Sequence, residues 1–325
     1  MKRRLLELLA CPDCGGDIQG DFKEELTEGT LHCSGCERQF PVHQGVPSLL
    51  PAALNKEAEL VADQFAQQWH HYREQRPEYR QQFLDWIAPV GPDHFEGKLV
   101  LDAGCGKGRH LQVSSSFQPE LVVGIDLGEA AYLAKDACRD FPNVEVVRGD
   151  LLNLPFKKNL FDYAYSVGVL HHLPDPIGGF QQITGAVREG GTLSAWVYGR
   201  ENNEWIVNWV DPFRKHVSGR LPRPVLRGIS WILAQFLYWL TRLVYLPGQS
   251  LFPKLKLPLQ AYLIYISKFP HREIETIVYD QLNPQIAFYI PRQSFEKWFD
   301  GFEETTIGWH NENSWRGFAR KPEQA

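Results

Sequence analysis

The sequence predicts an α/β protein: a parallel sheet wrapped by helices, preceded by a small cysteine-rich module and interrupted late by a helical, aromatic-rich insert. Three observations predict it. Strand and helix patterns alternate along residues 98–198. Two Cys-x-x-Cys pairs stand near the start. About 90 residues separate the fifth strand from the next helix, far more than a connection needs. The 325 residues suit about two domains. With 43% hydrophobic and 22% charged residues the chain can bury a core, which excludes disordered, coiled-coil and disulfide-miniprotein readings. A net charge of −5 supplies no global basic field to draw the chain onto nucleic acid. No uncharged apolar run reaches about 20 residues. Residues 1–10 are basic, then apolar, but too short and too acidic at Glu7 for a secretory signal. A cytoplasmic protein is expected.

The pairs are Cys11-Pro-Asp-Cys14 and Cys33-Ser-Gly-Cys36, with eighteen residues between Cys14 and Cys33. This is ribbon spacing. Two intervening residues let a tight turn aim both sulfurs at one ion, and four thiolates close a tetrahedral shell, so one structural zinc is expected. A thioredoxin-like redox pair is the alternative. The flanking residues, Leu5-Leu-Glu-Leu-Leu-Ala-Cys-Pro and Phe40-Pro-Val-His-Gln-Gly-Val-Pro, make residues 1–52 resemble the small zinc-ribbon proteins that activate tRNA, rRNA and translation-factor methyltransferases. That resemblance implies a companion module for a methyltransferase. The segment holds five Lys/Arg against eight Asp/Glu, a poor clamp for phosphates, so a docking or stabilising role is expected.

Residues 53–95 read as helical, with Pro77 as a break. Lys98-Leu-Val-Leu-Asp102 reads as a buried strand entering Ala103-Gly-Cys-Gly-Lys-Gly108. Further strands follow at residues 121–126, 144–150, 161–166 and 191–198. A dinucleotide fingerprint needs a third glycine where Arg109 stands. Instead Asp102 precedes the loop, Asp126 ends the second strand and Asp150 the third. An anion beside the loop repels a pyrophosphate and suits a cationic amino-acid end.

The segment Val100-Leu-Asp-Ala-Gly-Cys-Gly-Lys-Gly-Arg-His110, with Val123-Gly-Ile-Asp-Leu127, Gly149-Asp-Leu-Leu-Asn153 and Gly168-Val-Leu-His-His-Leu-Pro174, resembles class I S-adenosylmethionine-dependent methyltransferases. The resemblance implies a doubly wound, seven-stranded Rossmann-like sheet with S-adenosylmethionine as cofactor. It places Gly104, Gly106 and Asp102 near the methionine part, Asp126 on the ribose hydroxyls and Leu127 on the adenine. It sets Asp150 on the exocyclic amine, Leu151 beside the ring and Ser166 along the methionine side. Acids also end strands as caps and glycines also serve packing; the joint series is what carries the reading.

Methyl transfer is an in-line displacement that depends on alignment, and a hydroxyl, phenol or thiol acceptor benefits from a base. His171 and His172 follow the fourth strand, and His171 is the preferred base, against local packing as the bland role. Tyr72, with Trp69, lies on the helix before the first strand; in this fold that helix often closes over the cofactor, so Tyr72 is a candidate contact, against a core role.

A helix at residues 293–299 and a hairpin of residues 301–309 and 314–320 complete the sheet. Residues 200–273 carry eleven Lys/Arg against four Asp/Glu and four of the ten Trp. The nearly apolar run 224–246 must be buried in protein or lipid if helical. A buried cap or dimer interface, a membrane-surface or lipid-substrate site through residues 214–246, and a nucleic-acid cleft are the readings. The expected organisation is a zinc ribbon (1–52), a helical linker and lid (53–95), the cofactor core (96–200), a helical substrate cap (201–290) and the closing helix and hairpin (291–325). The expected activity is methyl transfer to a small-molecule or lipid-linked acceptor, at oxygen, with a homo-oligomer open. Nucleic acid is expected to be an unlikely partner; Ser166-Val-Gly-Val stands where amine-modifying relatives carry Asn/Asp-Pro-Pro-Tyr, which lowers nitrogen targets in nucleic acid and glutamine without excluding every RNA acceptor. An RNA or protein methyltransferase and a non-catalytic cofactor-binding scaffold are the alternatives.

Overall fold

Residues 1–72, 74, 76–251 and 257–323 are described by a computed structural model. They cluster into two units. One holds Met1–Val197, Glu296–Gly308 and Arg316–Ala325; the other holds Tyr198–Phe295 and Trp309–Trp315.

The first unit begins with helix α1 (Arg3–Leu8) and four short strands, β1 (Ile18–Gln19), β2 (Gly29–Cys33), β3 (Gln39–His43) and β4 (Val46–Leu49). Burial alternates along β2 and β3, the pattern of a sheet with one face covered. Helix α2 (Lys56–His71) starts where the Asn55 side chain accepts the amides of Glu57 and Ala58 at 2.9 and 3.1 Å, filling two orphan donors of its first turn. Helix α3 (Glu78–Trp86) follows Pro77, so the proline does separate two helices.

The core then alternates as expected: β5 (Leu99–Ala103), α4 (Arg109–Ser115), β6 (Leu121–Asp126), α5 (Ala130–Ala137), β7 (Val144–Gly149), β8 (Phe161–Val167), α6 (Pro176–Ala186) and β9 (Val187–Tyr198). All of β5 is buried, because a central parallel strand is covered on both faces. Strand β9 starts four residues before the expected position, since Val187 already pairs with Phe161 ahead of an irregularity in the register.

In the second unit lie α7 (Asp211–His216), α8 (Arg223–Leu240), α9 (Leu246–Leu251), α10 (Gln260–Ile266) and α11 (His271–Leu282). A π-helical turn, Thr241–Tyr245, links α8 to α9. The continuous helix Arg223–Leu251 is long and apolar enough to cross a membrane by length and composition, yet only 22% of its most apolar window is buried. This weighs against burial of the helix within its own chain, one of the readings set out for residues 214–246. Its buried residues are Leu226, Ser230 and Ala234 in α8 and Thr241 and Tyr245 beyond it, a narrow stripe whose α8 part packs on α11, and most of the bulky side chains face outward. Composition sets how apolar a helix is but not which side its neighbours take. Helix α12 (Arg292–Lys297) and strands β10 (Glu303–His310) and β11 (Ser314–Arg320) close the chain.

Among the described residues, eleven strands form one sheet in the order β1-β2-β3-β4-β7-β6-β5-β8-β9-β11-β10. From β7 onward this is a doubly wound sheet with an antiparallel end. Strands β5, β6, β7, β8 and β9 run parallel, with Leu101 opposite Val123 and Ala164. The reversal of order at β5 creates a switch point, where ligands of open α/β sheets bind. The cysteine-rich module is stitched onto this sheet: Ser48 and Leu49 of β4 pair in parallel with Arg148 and Gly149 of β7.

Candidate cofactor cleft and metal centre

The four thiols converge. The sulfurs of Cys11, Cys14, Cys33 and Cys36 lie within 4.8 Å of one another, with Cys11 and Cys33 buried and Cys14 and Cys36 exposed. A Cβ on Gly16 would stand 3.1 Å from the Cys33 sulfur, and one on Gly35 3.2 Å from that of Cys14, so the glycines make room for the cluster. The amides of Gly16 and Gly35 donate to the sulfurs of Cys14 and Cys33 at 3.4 and 3.3 Å. Burial opposes ionisation of Cys33, but backbone N–H groups of Cys36 and Gly35 and the neighbouring thiols outweigh it and bring its thiol down to about 7. Four soft donors at this spacing fit a closed, structural zinc site.

The second constellation gathers at the C-terminal ends of β5, β6, β7 and β8. Gly104 and Gly106 adopt φ of +93° and +51°, in the left-handed region that favours glycine. A Cβ on Gly104 would meet the Val169 side chain at 2.3 Å, and one on Gly106 would stand 3.1 Å from Nε1 of Trp69. The loop is pinned by Asp126, whose carboxylate accepts the amides of Gly106 at 2.9 Å and Gly128 at 3.0 Å. Burial raises the Asp126 pKa against these bonds. Leu127 follows, half-buried.

Asp102 is buried, and neither carboxylate oxygen makes a hydrogen bond of good geometry. Burial first, then the charge of Asp126, push its carboxyl up to about 8, and the Tyr165 hydroxyl offsets this in part. A buried, under-satisfied acid beside a glycine loop fits the cationic amino-acid end of S-adenosylmethionine. Asp150 is already engaged: its oxygens accept the amide of Leu152 and the Asn153 side chain, both at 2.9 Å, with Leu151 buried beside it. These bonds close a local turn on Asp150. Ser166 donates to the Ala103 carbonyl at 2.9 Å, tying β8 to β5 below the loop.

His171 and His172 lie in a short 3-10 turn, Leu170–His172. Their rings are 4.3 Å apart, His171 is 6.2 Å from the Trp196 ring, and His172 meets Phe65 edge-on at 4.9 Å. His171 is fully buried. Val169, which precedes the turn, stands beside Gly104, so the histidine turn adjoins the glycine loop. Tyr72 is the buried C-cap of α2, and its carbonyl accepts from Lys107 Nζ at 2.7 Å. Burial pushes the thiols of Cys105 and Cys138 up, the latter to about 12, which leaves both as packing groups.

Two contributors went unrecognised in the sequence. Lys107 is buried and also donates to the Glu74 carbonyl at 2.9 Å, so a cation satisfies the end of α2. Trp196 backs His171 and stacks on Trp86 at 4.9 Å. A lysine inside a glycine loop was a usable signal for the first; the second needed the tertiary fold. In the second unit, Asp280 accepts from the Tyr198 hydroxyl at 2.8 Å, and Tyr289 stacks on Tyr198 and donates to Gln281.

Residues 101–195 match the family described as Methyltransferase domain, and residues 2–45 match Trm112p-like protein. A tRNA U34 carboxymethyltransferase of Pseudoalteromonas atlantica is 34% identical over 101 residues, 30% of this chain and 31% of that protein. A phthiotriol/phenolphthiotriol dimycocerosates methyltransferase of Mycobacterium leprae is 30% identical over 142 residues, 42% of this chain and 52% of that protein. The chain thus spans less than two thirds of either relative. Among solved structures, a chain from a complex containing the Haloferax volcanii Trm112 methyltransferase activator matches at 22% identity and a TM-score of 0.37, covering 48% of this chain and 68% of that one. The first relative overturns the expectation that nucleic acid is an unlikely partner class. That expectation leaned on a net charge of −5, and net charge describes the far field, not the chemistry of one cleft.

Proposed function

We propose that this chain, a methyltransferase domain carrying its own Trm112p-like ribbon, transfers the methyl group of S-adenosylmethionine to an RNA acceptor. The observation that carries the reading is the pairing in one chain of those two modules, the first resembling proteins named as tRNA-modifying enzymes. It displaces the expectation of a small-molecule or lipid-linked acceptor methylated at oxygen.

The cofactor supplies an activated methyl on a sulfonium. The protein's part is to bind, orient and exclude water. Asp102 would hold the ammonium end with its buried carboxyl, whose ionised form that cation would favour, the proton leaving to solvent. Gly104 and Gly106 leave the backbone uncovered for close approach. Asp126, with its loop amides already ordered, offers remaining lone pairs to the ribose hydroxyls, and Leu127 and Leu151 flank the adenine. Asp150 orders the turn that carries Leu151, and Ser166 keeps β8 in register with β5. His171 stands as the base for an acceptor that enters beside Trp196, and Tyr72 closes the cleft through its place at the end of α2. The zinc held by Cys11, Cys14, Cys33 and Cys36 shapes the ribbon and takes no part in transfer.

The test is incubation of the purified chain with radiolabelled methyl donor and the RNA, protein and lipid fractions of a cell extract. Nuclease-sensitive label in RNA is the expected result. Label confined to organic-soluble material or protein would overturn the RNA acceptor while leaving the cofactor assignment standing. His171→Asn should lower kcat by about 100-fold or more if it is the base, with cofactor affinity unchanged.

A further inference from the structure

Helix α8 is built inside out. Along it and into the following turn, Val225, Ile232, Phe236, Trp239 and Leu243 recur at helical spacing and form one stripe, with Ile232 62%, Phe236 63% and Leu243 67% exposed. The side turned toward α11 holds Leu226, Ser230 and Ala234, with Thr241 and Tyr245 buried in the turn beyond. A helix of a water-surrounded monomer packs its largest apolar groups inward; here Leu226 and Tyr245 do so, while Trp231, Ile232, Leu233, Phe236 and Trp239 face outward. Trp209 (77% exposed) and Trp231 extend the apolar surface within the same unit. Patches of this extent mark an interaction site.

The charges around the stripe are one-sided. Residues 200–273 carry eleven basic against four acidic residues, and three of those acids are engaged internally. Glu201 accepts from the Arg292 amide and Trp315 Nε1, Asp211 pairs with Arg214 and Lys215, and Glu273 is buried. Arg242 is also turned inward, over Tyr238 and onto the carbonyls of Ser267 and Phe269. Lys215, Arg220 and Lys268 remain exposed. A second copy meeting this face about a two-fold axis would set the same basic patch against itself. An apolar stripe with tryptophans and a basic surround suits an anionic lipid surface, where the side chains enter the acyl boundary and the cations meet head groups.

We propose that the outward face of α8 docks this protein peripherally on an anionic membrane, with the helix lying in the plane of the surface. The proposal stands on the second unit alone and is independent of the acceptor assigned above. Flotation of the full chain with phosphatidylcholine vesicles, with and without phosphatidylglycerol, tests it. Binding is expected to vesicles containing phosphatidylglycerol and to weaken with added salt. The double variant Ile232→Glu/Phe236→Glu should lose about tenfold or more of that binding, and Arg220→Glu/Lys268→Glu should lose the preference for the anionic lipid. Both pairs are on exposed positions, and unchanged S-adenosylmethionine affinity would show that the variants are folded. A chain that ignores both vesicle types overturns the proposal. So does one that sediments as a dimer which the first double variant splits while vesicle binding is absent.

Discussion

The thiol cluster and the glycine loop are both turns made possible by glycine, yet they are held in opposite ways. At the ribbon, glycines clear space for sulfur and backbone bonds close each turn, Cys11 N–H onto the Gly16 carbonyl and Cys33 N–H onto the Arg38 carbonyl, while Gly16 and Gly35 give the sulfurs of Cys14 and Cys33 only weak N–H···S bonds. At the loop, glycines clear space for Val169 and Trp69, and strong acceptors hold the backbone: Asp126 takes two amides and Lys107 ties the end of α2. The first site gathers four like donors that a metal ion would bind together, so it is expected to depend on its ligand; the second is held by groups of the chain itself. Experiments that remove one support at a time should separate them.

The largest effect is expected at the ribbon. Metal binding to such sites is itself folding energy, on the order of 10 kcal/mol or more in isolated zinc modules. Chelation, or Cys33→Ser, should abolish amide exchange protection across β2 and β3 while β5, β6 and β8 stay protected. Because β4 pairs with β7, some loss should spread to β7. A ribbon equally protected in metal-free protein would break the contrast.

A smaller effect is expected at the loop. Gly104→Ala places a methyl 2.3 Å from Val169 at a φ of +93°. Strain and overpacking together should cost about 2–5 kcal/mol, and Val169→Ala in the same chain should return part of it. Metal content should be unchanged. An alanine variant with native stability would show that the loop moves as freely as the ribbon.

The contrast also explains what was legible in the sequence. Cysteine pairs, glycines and strand-ending acids are local signals: the residues that cooperate sit a few positions apart, so Cys11, Cys14, Asp102 and Gly104 could be picked out directly. Lys107 stood out as a lysine inside the glycine loop, but its role did not, because its partner carbonyls at Tyr72 and Glu74 lie 35 and 33 residues away. The merging of β4 into the core sheet is equally non-local. For Asp150 the sequence showed an acid in the right place, but the turn it closes on itself only emerged with the fold. Residues 224–246 were read correctly as apolar and helical, and their outward face depended on α11 claiming the small-residue side.

The smallest effect is expected at Asp102, where it reveals most about a site built in advance. Burial lifts its carboxyl from an ordinary value of 3.8 to about 8. Between those two pH values the folded chain keeps a proton that the unfolded chain has released. Stability therefore falls as pH rises through this window and is greatest below it. An isosteric amide carries no such proton, so Asp102→Asn should flatten the pH dependence. Near pH 8 it should unfold a few degrees higher than the parent, while binding S-adenosylmethionine more weakly. The two changes belong together: a carboxylate that destabilises the empty fold is the one left unsatisfied for a cation. Parallel thermal profiles for variant and parent from about pH 5 to pH 8 would mean that Tyr165 or solvent already satisfies Asp102, and the loop would then be no more poised than the ribbon.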